Sequence, residues 1–277
     1  MTNLFSQNIN WQGHRGARGL YPENTIPAFL HALEYPLIET LELDVVISAD
    51  KQVIVSHEAW MNHEICSKPD GTPVLEKEEK NFNLYKMNTS EIQSFDCGVR
   101  GHPGFVMQKA MSVKKPLLSE VVKEVAERCK LKNKPFPYLN IEIKTEGPKG
   151  DRVYHPEPDE FVKLVILEIN RLEIQDKVNL QSFDPRVLQV VKKANYKIPV
   201  SLLVANLRGL KWNLKKLGFV PEAYSCYYKL LSKKVVENCH KMNMKVIPWT
   251  VNTEKIIEEM ISLNVDGIIT DYPNLAK

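Results

Sequence analysis

Two carboxylates, Glu42 and Asp44, stand two residues apart inside the apolar run Ile38-Glu-Thr-Leu-Glu-Leu-Asp-Val-Val-Ile47. In a β-strand that spacing puts both on one face, with Leu43 and Val45 on the other. Adjacent carboxylates repel, and burying them unpaired costs several kcal/mol. A cation must therefore sit beside them, either a metal ion or an Arg or Lys. The stretch Asn140-Ile-Glu-Ile-Lys144 repeats the arrangement, placing Asn140, Glu142 and Lys144 on one face. If both strands end at the same rim, Glu142 joins the pair. Three acidic oxygen donors without cysteine suit a hard cation, Mg²⁺ or Ca²⁺, better than zinc. A single Glu-x-Asp would read as ordinary salt bridges; two such strands favour the cation.

His14 and His57 each follow a short β-like run and so fall near strand ends. Cleavage of a phosphodiester needs one group to remove a proton and another to protonate the departing alkoxide, and imidazole suits both roles near neutral pH. Arg15, next to His14, is a planar donor fitted to phosphate oxygens. The other histidines, His31, His63, His102, His155 and His240, fall on expected helices, in loops or in an inserted segment. A structural role is the simpler reading for them.

The elements that must position these residues are legible from periodicity. β-Rich runs lie near 10–15, 38–47, 138–144, 178–182, 199–204, 223–227, 245–251 and 267–270. Apolar residues at three- and four-residue spacing mark helices over 25–34, 118–131, 159–172, 186–194, 230–242 and 253–263. The stretch 206–216 has no clean period. Eight strands alternating with helices match a (β/α)8 TIM barrel in number and length. A doubly wound sheet would alternate too, but no Gly-rich fingerprint follows the first strand. Residues 58–115 break the rhythm: a charged, Asn-rich segment of about 60 residues is too long for an ordinary loop. Phe82, Leu84, Phe95, Phe105 and Val106 argue for a folded insertion on the catalytic face, within a single domain spanning 1–277.

Composition bounds the function classes. The chain has 277 residues, 43% hydrophobic and 26% charged, as in soluble globular enzymes. A net charge of +3 is too small to signal nucleic-acid binding, and leaves an anionic small-molecule substrate open. Five scattered cysteines without a CxxC pair read as five reduced thiols. The first residues lack a basic region followed by an apolar run, so no signal peptide is expected, and no stretch is long enough to span a bilayer. A cytoplasmic location follows, or a periplasmic one if the native start was trimmed.

With these residues in view, the chain resembles the glycerophosphodiester phosphodiesterase family. The likeness runs through His14-Arg-Gly16, Pro22-Glu-Asn-Thr25, Glu42-x-Asp44, His57 and Glu142-x-Lys144. It continues to Gln181-Ser-Phe183, Trp249-Thr-Val-Asn252 and Asp266-Gly-Ile-Ile-Thr-Asp-Tyr-Pro273. The insertion carries family-like pieces as well, Phe95-Asp-Cys-Gly98 and Lys115-Pro-Leu-Leu118. The resemblance implies a TIM barrel that hydrolyses glycerophosphodiesters to sn-glycerol 3-phosphate and an alcohol. By matching position, Glu42, Asp44 and Glu142 would hold the divalent metal, and His14 and His57 would be the acid/base pair. Arg15 and Lys144 would contact phosphate, Glu23 would support Arg15, and Trp249 would line the pocket. Glu58 stands where many relatives have Asp, and Asp271 reads as a turn-former at the last strand. Within the same fold, a lysophospholipase D-like or sphingomyelinase D-like enzyme is the alternative. A non-catalytic phosphate- or sugar-binding barrel would have lost a histidine or an acid, and this chain retains all of them.

Overall fold

The computed structural model describes residues 9–194 and 196–277; the part of the leader reading that concerns residues 1–8 lies outside this range. The strands are β1 (Asn10–Gly13), β2 (Ile38–Ile47), β3 (Val53–Val55), β4 (Tyr138–Ile143), β5 (Val178–Ser182), β6 (Val200–Val204), β7 (Ala223–Cys226), β8 (Lys245–Val246) and β9 (Gly267–Thr270). The helices are α1 (Ile26–Ala32), α2 (Thr89–Ile92), α3 (Leu118–Leu131), α4 (Pro158–Arg171), α5 (Pro185–Lys193), α6 (Leu210–Leu217), α7 (Lys233–Lys241) and α8 (Glu254–Ser262). The parallel strands run in the order β8-β7-β6-β5-β4-β2-β1-β9, and β3 folds back antiparallel on β2. This is the expected (β/α)8 barrel, nearly closed.

Its seam lies between β8 and β9. No regular ladder joins them; instead Asp266 donates to Val246 (2.9 Å), Ile269 to Pro248 (3.0 Å) and Val251 to Ile269 (3.0 Å), all through backbone groups. The sequence suggested a strand over 245–251, but regular pairing ends at Val246; Ile247 and Trp249 still donate to Tyr224 and Cys226 of β7 (3.2 Å each), while Pro248 between them has no N–H to donate. The stretch without a clean period does hold a helix. α6 begins after Gly209 and ends on Gly218, whose φ of 85° is the left-handed conformation that closes helices.

Alternation along the strands divides the molecule into an apolar annulus and a polar interior. Leu41, Leu43 and Val45 face outward and are fully buried with Phe161, Val165 and Ile169 of α4 and Val121 and Val125 of α3 in the main core. The inward positions are amides and acids. Asn140 donates to Gln12 (2.8 Å) and Gln181 (3.1 Å), and Asn179 donates to Asn140 (2.6 Å) and Ser201 (2.9 Å). Each buried amide thus has partners, without which the layer would be destabilising.

Residues 58–115 contain only α2 and single helical turns, yet they enclose a second core. Met61, Ile65, Val74, Leu84, Ile92 and Phe95 pack there against Val46 and Ile54 from the β2–β3 hairpin. Here the expectation of five free thiols fails, because Cys66 and Cys97 form a disulfide. Their 31-residue separation hides the pairing in the sequence. Backbone bonds between Ser67 and Asp96 (2.6 and 3.1 Å) bring the two flanking chains side by side. Cys129, Cys226 and Cys239 are free and buried.

Candidate active site

The carboxylates meet at the C-terminal ends of β2 and β4. Asp44 and Glu142 are register partners, as are Glu42 and Asn140. Oxygen atoms of Glu42, Asp44 and Glu142 all lie within 4.8 Å of one another, and the three residues are buried. Lys144 pairs with Glu142 (2.9 Å), and Arg15 approaches Asp44 (3.2 Å). Glu42 accepts from the backbone N–H of Arg15 (2.9 Å) and from Gln181 (2.9 Å), and the His14 ring stands 3.9 Å away. The cluster holds more carboxylate than cation. Burial, followed by repulsion from Asp44, raises the Glu42 carboxyl well above the ordinary range. Burial and Asp44 likewise raise Glu142 to about 7, against the pull of Lys144. Asp44 goes the other way: burial pushes it up, but Arg15, His57 and Lys144 hold it below the usual carboxylate range. Three converging oxygens short of positive charge are a donor set fitted to a hard divalent cation.

The turn after β1 supplies the rest of the rim. Arg15 adopts φ of 48°, unusual for a side-chain-bearing residue, and this aims its N–H at Glu42 while its guanidinium reaches Glu23 (2.8 Å). Gly16 follows at φ 82°, where an added Cβ would stand 2.6 Å from the Ala28 backbone. The Pro-Glu-Asn-Thr segment has a task at each polar position. Glu23 binds Arg15, Asn24 donates to Asp44 (2.8 Å), and Thr25 caps α1.

Both histidines are seated on carboxylates. His14 Nδ1 lies 2.6 Å from Asp271 and His57 Nδ1 lies 2.7 Å from Glu58. An ionised carboxylate only accepts, so each Nδ1 carries the proton and Nε2 is left for other partners. Burial lowers the His14 pKa to about 4 despite Asp271, which keeps the ring neutral at neutral pH. Lys115 of the insertion is buried beside this group and donates to Ser56 (2.9 Å). Burial lowers its ammonium pKa, while Glu58 and Glu23 oppose the shift.

A cavity of about 290 Å³ opens over the cluster. His14, Arg15, Glu42, His57, Glu142 and Lys144 line its polar side, and Phe183, Leu203, Trp249 and Ile269 its apolar side. Glu23 and Asp44 sit behind this lining, bound to Arg15. Trp249 donates through its indole N–H to the Ser225 carbonyl (3.1 Å) and stands edge-on to Phe183 with 5.5 Å between ring centroids. All nine residues singled out from the sequence thus gather at one mouth.

Several contributors escaped the sequence reading. Asp271 is no mere turn residue: it is fully buried, bound to His14, to Arg18 (2.8 Å) and to Asn252 (2.6 Å). Arg18, Gln181 and Lys115 were also passed over as individual site residues. Each lies in a family-like block or beside one, but its contact is long-range and leaves no local spacing to read.

Comparisons with known proteins show which family the chain belongs to. The profile of the Glycerophosphoryl diester phosphodiesterase family matches residues 14–275. A glycerophosphodiester phosphodiesterase of Caldanaerobacter subterraneus subsp. tengcongensis is 31% identical over 262 residues, covering 94% of this chain and 93% of that protein. A crystal structure from Silicibacter pomeroyi DSS-3 superposes with a TM-score of 0.86 at 26% identity, over 98% of this chain and 92% of that one. An Oleispira antarctica phosphodiesterase, solved in complex with the product sn-glycerol-3-phosphate, shares the fold at a TM-score of 0.73 and 20% identity, over 95% and 93% of the two chains. These matches place the chain, with its acids and histidines gathered at the barrel mouth, in the glycerophosphodiester phosphodiesterase family, as a phosphoric diester hydrolase.

Proposed function

We propose that this enzyme hydrolyses glycerophosphodiesters to sn-glycerol 3-phosphate and an alcohol, using a divalent cation and two histidines. The observation that carries the reading is the under-neutralised carboxylate cluster beneath a cavity that both histidines line. Glu42, Asp44 and Glu142 would hold Mg²⁺ or Ca²⁺, which when bound supplies Lewis-acid charge to the phosphate oxygens. Arg15 and Lys144 balance charge that builds on those oxygens during displacement. One histidine, bare at Nε2, takes the proton of the attacking hydroxyl, from water or a neighbouring substrate hydroxyl; the other enters as imidazolium and gives its Nε2 proton to the departing alkoxide. Asp271 and Glu58 fix the rings so that each Nε2 is available. Phe183 and Trp249 give the mouth an apolar wall that excludes water from one side of the substrate. The product proposed for this chain is the one bound in the Oleispira antarctica enzyme.

The test is product identification. Chelator-stripped protein should be inactive on glycerophosphocholine and glycerophosphoethanolamine, and Mg²⁺ or Ca²⁺ should restore release of sn-glycerol 3-phosphate. Full activity in chelator would reject the cation. Release of a phosphorylated headgroup instead of glycerol phosphate would reject the assigned cleavage.

A further inference from the structure

The rim of the barrel beyond the pocket's apolar wall carries a composition that the hydrolysis of a small soluble diester does not require. The connections that follow β6 and β7 leave the same end of the barrel as the carboxylate cluster, since parallel strands place all their C-termini together. The β6–α6 connection with α6 behind it, residues 205–218, contains Arg208, Lys211, Lys215 and Lys216, and the β7–α7 connection with the start of α7, residues 227–234, contains Lys229, Lys233 and Lys234; neither stretch has an Asp or Glu. All these cations are exposed. The ion pairs of this half of the barrel use Arg186, Lys192, His240 and Lys277 instead. Among the described residues none of the seven has a carboxylate partner.

Large apolar side chains stand among these charges. Leu207 is 91% exposed, Trp212 41% and Phe183, at the pocket wall itself, 42%. The Trp212 ring lies between two cations, with Arg208 and Lys216 each 5.4 Å from its centroid. Leu207 is held outward by a braced turn: Asn206 accepts from the Arg208 N–H (3.0 Å) and is bonded to Asn213 (2.9 Å). An exposed leucine and tryptophan on a fixed support, interleaved with unpaired Lys and Arg, complement a surface that is negative outside and apolar just beneath. Nucleic acid offers the charge, but not the apolar layer.

We propose that the β6–α6 and β7–α7 connections dock on an anionic lipid bilayer and hold the pocket mouth at the membrane surface. Phe183 is the link, because it lines the pocket, is itself partly exposed, and follows β5, the strand beside β6. Docking concerns where the mouth is held and stands apart from the diester assigned above.

Cosedimentation of the full chain with vesicles tests this. Vesicles of phosphatidylcholine with about 30% phosphatidylglycerol should bind the protein at least about tenfold more tightly than phosphatidylcholine alone, and added salt should weaken the binding. Two double variants, Leu207→Ser with Trp212→Ser and Arg208→Glu with Lys211→Glu, should each reduce that binding about tenfold or more. Their circular dichroism and their rate on a soluble diester should match the parent, since none of the four residues touches the pocket. Absence of vesicle binding, equal binding to both lipid mixtures, or anionic binding that survives either pair would overturn the proposal. So would binding to a DNA duplex as tight as to vesicles and lost only with the charge pair, which would mark a general polyanion patch.

Discussion

His14 and His57 owe their orientation to carboxylates of different reach and very different origin. Glu58 is the next residue in the chain, whereas Asp271 arrives from 257 residues away. The first pairing could be suspected from the sequence; the second could not, because nothing local distinguishes Asp271 from a turn-former. Glu42, Asp44 and Glu142 were legible for the opposite reason, since strand alternation alone forces them onto one face. Replacing either histidine by Ala should lower kcat by at least ~10²-fold, the usual scale of acid–base catalysis. Asp271→Asn should cost about 10- to 100-fold in kcat with little change in KM, and should alter the pH profile, because an amide no longer selects the Nδ1-protonated ring. A parent-like pH profile in that variant would reduce Asp271 to a packing residue.

The acids carry their own pH signature. Glu142 is raised to about 7 and Glu42 is also raised, so below neutrality an incoming cation must displace protons from them. Affinity for Mg²⁺ or Ca²⁺ should therefore rise with pH through about 7 and level off above it, by up to about tenfold per unit for each proton released. Calorimetric titration of the cation at about pH 6 and about pH 8 checks the sign. An affinity that is flat or falls with pH would mean that these carboxylates are not its ligands.

At the scale of elements, the insertion is the piece whose existence was readable but whose construction principle was not. Its aromatic and aliphatic residues announce a folded unit, yet with only α2 and isolated turns there is no period to follow. The Cys66–Cys97 bond closes a loop of 31 residues, worth about 3–4 kcal/mol in loop-closure entropy if the segment unfolds with the bond intact. Cys66→Ser, or treatment with reductant, should lower the thermal midpoint and make 58–115 the first segment cut by protease. Activity should fall along with it, because Glu58 and Lys115 belong to that segment and reach His57 and Ser56. Unchanged stability and proteolysis would show that the second core holds without the bond. α6 teaches a related lesson: its cationic, half-exposed face disguises the apolar spacing, and only its flanking glycines mark the ends.

Over the whole molecule, the barrel was readable because eight alternating strands and their helices repeat one pattern. Its interior was read only in part. The sequence shows Asn140 beside Glu142 on one face, but not that Gln12, Asn179, Gln181 and Ser201 join it in a continuous amide layer below the acids. Such a layer contributes little hydrophobic stabilisation, so the apolar annulus between strands and helices must provide most of it.

The seam between β8 and β9 has a dynamic consequence. Elsewhere around the barrel a ladder ties neighbouring strands, while here a few isolated bonds flank Pro248 and Trp249. Amide protons report such inequality directly: native-state hydrogen exchange should be faster at the seam residues Val246, Val251 and Ile269 than in the other barrel strands, and slowest in β2 and β4. The wall that carries Trp249 would then be the part of the rim best able to breathe, while the acid-bearing strands beneath it stay fixed.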